Sequence, residues 1–196
     1  MTHVMAFSDL HARSALVPDL LAAAKTADLV IGAGDFCNMR QGLGPAMAEL
    51  QPMAHKAVYV CGNAESADEL RAATAATVLH CTGITKAGVL LFGLGCAVPP
   101  TPFGSWSCDL SEAEAAGLLA AMGQVDILIT HAPPKGVADV SSSGRSLGSE
   151  AIRAAIEALQ PKYCLCGHVH DSWGKRGRIG MTEVVNLGPK PVLLEV

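Results

Sequence analysis

Short, unbroken apolar runs alternate along the chain with stretches in which apolar residues recur every three or four positions. Val4–Phe7, Leu29–Ile31 and Ala57–Cys61 are of the first kind and read as strands. Ala15–Lys25, with Leu16, Leu20 and Leu21 at helical spacing, Leu43–Leu50 and Asp68–Ala76 are of the second kind and read as helices. Strands that are apolar throughout are covered on both faces, so this half predicts an α/β arrangement with a buried sheet. Val78–Cys81, Ile84-Thr85 and Val89–Phe92 then follow as short strands, the last two joined by a hairpin turn at Lys86-Ala87-Gly88. Ser111 with Glu114 three residues on forms a capping box for a helix to about Met122. Asp126–Thr130 and Tyr163–Cys166 read as strands, and between them Ser149 caps a helix through Ile152, Ile156 and Leu159 that Pro161 stops. Three apolar stretches close the chain, Trp173–Ile179, Thr182–Val185 and Val192–Val196, and read as antiparallel strands. The whole predicts one domain over residues 1–196 with two sheets.

With 50% hydrophobic and 16% charged residues the chain is not disordered, and 196 residues suffice to bury a core without a metal or disulfide as staple. A net charge of −4 gives no basis for general nucleic-acid binding or for a surface held to anionic lipid. Ala87–Cys108 carries no charge, but Pro99, Pro100, Pro102 and four glycines interrupt it, so no membrane span is expected. The N-terminus has no basic leader and Asp9 breaks its apolar segment, so no signal peptide and a cytoplasmic location are expected. The seven cysteines are odd in number and mostly in apolar settings, which predicts free thiols that do not ligate metal.

Chemistry enters through position. Asp9 and His11 follow the first strand, Asp35 the second, Asn63 the third, His131 the strand ending at Thr130, and His168 and His170 the strand ending at Cys166. Ligands of open α/β sheets bind beyond the carboxyl ends of the strands, so five strands are expected to deliver these groups to one edge. Gly167-His168-Val169-His170 also puts both rings on one side of an extended segment. Mixed Asp, His and Asn ligands suit Mn, Fe, Zn or Ni; calcium wants oxygen alone and structural zinc favours thiolates. Two such ions roughly 3.5–4 Å apart can share a carboxylate and a hydroxide and drive in-line displacement at phosphorus.

In order and spacing, Asp9-Leu10-His11, Gly34-Asp35, Gly62-Asn63, His131 and Gly167-His168-Val169-His170 resemble the motifs of the calcineurin-like metallophosphoesterases. The resemblance implies a two-sheet β-sandwich flanked by helices. It implies one metal held by Asp9, His11, Asp35 and His170, with Asp35 bridging, and a second completed by Asn63, His131 and His168. Asp35, Asn63 and His131 are then catalytic as well as binding residues. The expected activity is that of a phosphodiesterase with two divalent ions, manganese favoured, and a bridging hydroxide, acting on a phosphoester small molecule or a nucleotide; a homo-oligomer is left open. The alternatives are a phosphomonoesterase or nucleotide pyrophosphatase, and a degenerate scaffold that works through protein interaction.

One position departs from the family pattern. Ala64 stands where the family usually has the His of Gly-Asn-His-Asp/Glu, a group assigned to transition-state charge or to protonating the leaving oxygen, and Glu65 loses the imidazole it would orient. A general acid is worth roughly 10²–10⁴ in rate. His80, His55 and Arg145 are the candidate replacements, in that order, and Lys175, Arg176 and Arg178 read as one solvated hairpin face.

Overall fold

A computed structural model describes residues 1–196. In the first half the apolar runs become β1 (His3–Phe7), β2 (Leu29–Ala33) and β3 (Ala57–Val60), paired in parallel, with the two-residue β4 (Thr77–Val78) beyond β3. The second half supplies β5 (Thr82–Lys86), β6 (Val89–Leu94), β7 (Ile127–Thr130), β8 (Tyr163–Cys166), β9 (Arg176–Ile179), β10 (Thr182–Asn186) and β11 (Val192–Glu195). They form a second sheet in the order β5-β6-β7-β8-β10-β9, except for β11, which completes the first sheet in the order β11-β1-β2-β3-β4.

Side-chain alternation along each strand builds the layers. Met5, Phe7, Val30 and Tyr59 face outward from the first sheet and are covered by α1 (Val17–Ala24), α2 (Leu43–Leu50) and α3 (Ala67–Ala73). Val4, Ala6, Ile31 and Val58 face inward and meet Leu91, Ile127, Ile129, Leu165 and Val185 of the second sheet. On the far face, Phe92, Leu128, Cys164 and Val184 pack under α4 (Glu112–Leu119) and α5 (Glu150–Leu159). Burying each Val, Leu or Ile contributes roughly 1.5–3 kcal/mol. The expected two-sheet β-sandwich flanked by helices is therefore the fold. No helix is long and apolar enough to cross a membrane.

Three expectations are corrected. The strand over Val78–Cys81 is confined to Thr77–Val78. The three tail strands are not one antiparallel set: β10 pairs antiparallel with β9 but parallel with β8, and β11 pairs antiparallel with β1 in the other sheet. Pro189 and Pro191 remove ladder donors between β10 and β11, which lets the chain leave one sheet for the other. Finally, Cys96 and Cys108 are joined as a disulfide, Cα to Cα 5.0 Å, leaving five free thiols where seven were expected. The Ala97 amide donates to the Cys108 carbonyl and the Leu110 amide to the Ala97 carbonyl, both at 2.9 Å, so the two segments run side by side. Nothing local in the sequence signals that return.

A candidate metal centre between the two sheets

The loops that leave β1, β2 and β3 of the first sheet meet those that leave β7 and β8 of the second. The expected edge is therefore shared by two sheets. Backbone strain is concentrated there: Asp9, His11, Asp35 and His168 are left-handed, with φ of 52°, 49°, 56° and 66°. Such conformations cost of order 1–3 kcal/mol each for residues with a side chain and persist only where surrounding bonds impose them. Here the Asp9 amide donates to the Gly34 carbonyl and the His11 amide to the Asp35 carbonyl, both at 2.9 Å, zipping the first two loops together. The motif glycines answer to close approach. A Cβ on Gly62 would collide with Asp35 Oδ1, and one on Gly167 would come within 2.5 Å of Asp9 Oδ2.

Asp9 is wholly buried. Its Oδ2 accepts from Ser8 Oγ at 2.6 Å, Trp173 Nε1 at 2.9 Å and the His168 amide at 3.2 Å, while Oδ1 lies 3.7 Å from His170 Nε2. Asp35 stands between two groups of donors. Its Oδ2 is 3.6 Å from His11 Nε2, and its Oδ1 is 3.4 Å from His131 Nε2 and accepts from the Ala64 amide at 2.8 Å. His11 Nδ1 bonds the Cys37 carbonyl at 3.2 Å and His131 Nδ1 bonds the Ala33 carbonyl at 2.8 Å, so each ring turns Nε2 inward. Asn63 Oδ1 faces His168 Nδ1 at 3.0 Å and His131 Nε2 at 3.2 Å, and the Nε2 atoms of His11 and His170 are 3.1 Å apart.

All seven residues singled out in the sequence are thus brought together. Donor atoms of Asp9, His11 and His170 converge as one set, and those of Asp9, Asp35 and His131 as another. Ligands about 2.1 Å from one ion at right-angle or tetrahedral positions stand roughly 3.0–3.4 Å apart, close to the separations found here, and the mixed oxygen and nitrogen donors suit a transition ion. The donor set therefore fits divalent metal.

Charges in the metal-free centre are strongly coupled. Burial works against ionising Asp35 and Asp9, yet the surrounding imidazoles hold both carboxyls below their ordinary range. Burial would lower His131, but the Asp35 carboxylate wins and lifts it to about 9. Burial and the positive charge of His131 push His168 down to about 4.

Two supporting residues escaped the sequence reading. Glu65 is not left idle by Ala64. It is fully buried and accepts from the amides of Asp35 and Gly62 at 2.8 Å, Phe36 at 3.1 Å and Cys37 at 3.3 Å, bracing the second loop against the third. Burial and the nearby Asp35 charge raise its pKa to about 7. Trp173, the donor to Asp9, lies before the strand its stretch predicts, which begins at Arg176; the burial of a Glu and the aim of an indole have no local pattern. Of the candidate replacement acids, none lines the cleft: His80 accepts from the Gly95 amide at 3.2 Å, His55 lines a separate hollow with Pro18 and Lys25, and Arg145 sits on an exposed loop outside the cleft lining. Ala64, only 2% exposed, forms part of the cleft wall. Arg176 pairs with Glu183 on the exposed hairpin, as a solvated face would.

Residues 2–191 match the calcineurin-like phosphoesterase superfamily domain. UPF0046 protein K07C11.7 of Caenorhabditis elegans is 29% identical over 196 aligned positions, which cover 87% of this chain and 64% of the relative. The chain spans less than two thirds of the length of the curated relatives it matches. The structure of TT1561 of Thermus thermophilus superposes with a TM-score of 0.74 at 16% identity, covering 98% of this chain and 97% of that one. A dimetal phosphatase from Danio rerio superposes with a TM-score of 0.66 at 14% identity, covering 96% and 88%. At these identities the structural likeness concerns the fold.

Proposed function

This chain belongs to the calcineurin-like phosphoesterase superfamily, and from that premise we propose that residues 1–196 form a single metallophosphoesterase domain acting as a metal-dependent phosphodiesterase. Asp9, His11, Asp35 and His170 would hold one divalent ion and Asn63, His131 and His168 the second, with Asp35 shared and manganese the favoured metal. The observation that carries this reading is the position of Asp35, whose two oxygens face His11 on one side and His131 on the other.

Divalent ions held by these residues would supply a nucleophile at neutral pH and charge stabilisation for a displacement at phosphorus. The chain's own part is to hold that arrangement without reorganisation. Backbone carbonyls fix the rings of His11 and His131, and Ser8, Trp173 and the His168 amide fix Asp9. Burial of Asp9, Asp35 and His131 keeps bulk water from those three groups. No imidazole stands at Ala64, so a leaving oxygen receives no proton from that wall. Aryl esters, whose leaving groups depart as stabilised anions, are the substrates this centre suits best.

Manganese-loaded protein is expected to hydrolyse an aryl phosphodiester, and Asp35→Asn to lose at least one of two ions together with that activity. Unchanged metal content by elemental analysis of Asp35→Asn would overturn the ligand assignment. The scaffold reading draws on Ala64 alone; it would gain if loaded protein cleaved no phosphodiester, phosphomonoester or pyrophosphate.

A further inference from the structure

The chain has only eight aromatic residues, two Trp, two Tyr and four Phe. Phe7, Phe36, Tyr59 and Phe92 are in the core, and Trp173 lies against His170 with its indole nitrogen on Asp9. Phe103 is different. It is 51% exposed, in the loop between β6 and α4, with its ring stacked on Trp106 at a centroid distance of 5.6 Å and an interplanar angle of 4°. Both rings line the same cleft, of about 260 Å³, as His11, Asp35, Asn63 and His168. Leaving a large ring in water forfeits its burial energy, so an exposed Phe stacked on a half-buried Trp beside a polar centre calls for a reason.

The loop is built to hold those rings still. The Cys96–Cys108 disulfide closes it, and the Cys108 amide donates to the Asn63 carbonyl at 2.9 Å, tying the loop to a candidate metal ligand. Arg40 Nε donates to the Trp106 carbonyl at 2.6 Å while its guanidinium pairs with Glu69. Asp109 accepts from the Thr101 amide at 3.0 Å and from Ser107 Oγ at 2.6 Å. Met39 and Leu147, 57% and 39% exposed, extend the apolar part of the cleft lining. No Lys or Arg lines the cleft, and Asp171 adds a negative group. Beyond the candidate metal centre, a chain of phosphates would find no cationic side chain to pair with its outer groups. The lining fits one phosphate at the polar centre and one flat, uncharged ring on the aromatic pair.

We propose that Phe103 and Trp106 form the binding surface for a planar aromatic group on the substrate, so that this centre selects phosphoesters carrying one phosphate and one such ring. The ring belongs to a nucleoside or to a simple aryl ester. This selectivity rests on the phosphodiesterase reading above, and the test separates the two.

Three phosphodiesters share perfluoro-tert-butanol, a ringless and acidic alcohol, as leaving group and differ in the other ester, which is methyl, phenyl or thymidine-5′. On manganese-loaded protein, Phe103→Ala should raise KM for the ring-bearing esters by roughly 5- to 100-fold more than for the methyl ester, the range expected for losing a stacking face. Phe103→Tyr, which keeps a ring, should restore the preference. A second readout needs no turnover: calorimetry should show adenosine monophosphate binding more tightly than ribose 5-phosphate, and the difference should vanish in Phe103→Ala. A wild-type preference for the thymidine ester over the phenyl ester assigns a nucleoside; the reverse assigns an aryl ester. Equal losses on all three esters, or an unchanged calorimetric difference, would overturn the proposal while leaving the phosphodiesterase reading intact. Absence of hydrolysis with the calorimetric difference still lost in Phe103→Ala would do the opposite.

Discussion

The same strands are built in two ways along their length. Between the sheets, Val4, Ala6, Ile31, Val58, Ile127 and Ile129 form a dry aliphatic layer with regular backbone. One or a few residues further on, the chains leaving those strands carry Asp9, Asp35, Glu65 and His131, which are buried just as deeply, and Asp9 and Asp35 adopt left-handed backbone. Equal burial has opposite consequences. In the layer it stabilises the fold; at the edge it confines charges that need each other, or an ion, to be tolerated. The difference shows that the regular interior supports an edge whose geometry is set by how its buried charges meet.

Filling the gap in the cleft wall is the largest change from the edge side. Ala64→His should raise the rate on poor alkyl leaving groups by up to roughly 10²–10⁴ and little on aryl ones. The measurement is the slope of log rate against leaving-group pKa, steep in the wild type and shallower in the variant. A flat wild-type slope would mean that another group supplies the proton. Because Ala64 is nearly buried, the new ring has room only by extending into the cleft.

Ile129→Ala tests the layer. It should cost about 2–5 kcal/mol of stability while the protein that remains folded keeps its full complement of metal. Denaturant unfolding with elemental analysis of the folded fraction checks this. Loss of metal in step with stability would mean that layer and edge are not separable.

Trp173→Phe is smaller. It keeps the ring packing but removes a donor from Asp9 Oδ2, and should weaken metal binding roughly 10- to 100-fold with little change in the melting temperature of the metal-free protein. Competition with a chelator reads the affinity.

The mildest effect is one of pH. Burial opposes protonation of His131, but Asp35 raises it to about 9, above the ordinary 6.5. A raised imidazole stabilises the metal-free fold fully below about pH 6.5, and that contribution is lost as pH rises through about 9. With His131 as a ligand, as proposed, metal would displace the same proton, so affinity should rise over the interval in which the metal-free protein softens. Melting curves with and without manganese should therefore diverge from pH 6.5 to 9, and calorimetry in buffers of different ionisation enthalpy should detect proton release.

The local pattern was sufficient for much of this molecule. Apolar runs of three to five residues located β1, β2, β3, β7 and β8, and Ser111 with Glu114 and Ser149 marked helix starts that bear their caps. The seven candidate ligands were legible because each directly follows a strand, a relation between neighbours in the chain. What only tertiary structure decided are relations between distant segments. They include the crossing of β11 to the first sheet, the sharing of the edge by two sheets, the Cys96–Cys108 pairing, the fourfold bracing by Glu65, the Trp173 bond to Asp9 and the stacking of Phe103 on Trp106 above the cleft. Periodicity encodes which face of an element is apolar. It carries nothing about which remote donor a buried carboxylate will meet, because that is set by loop closure and packing after the layers have assembled.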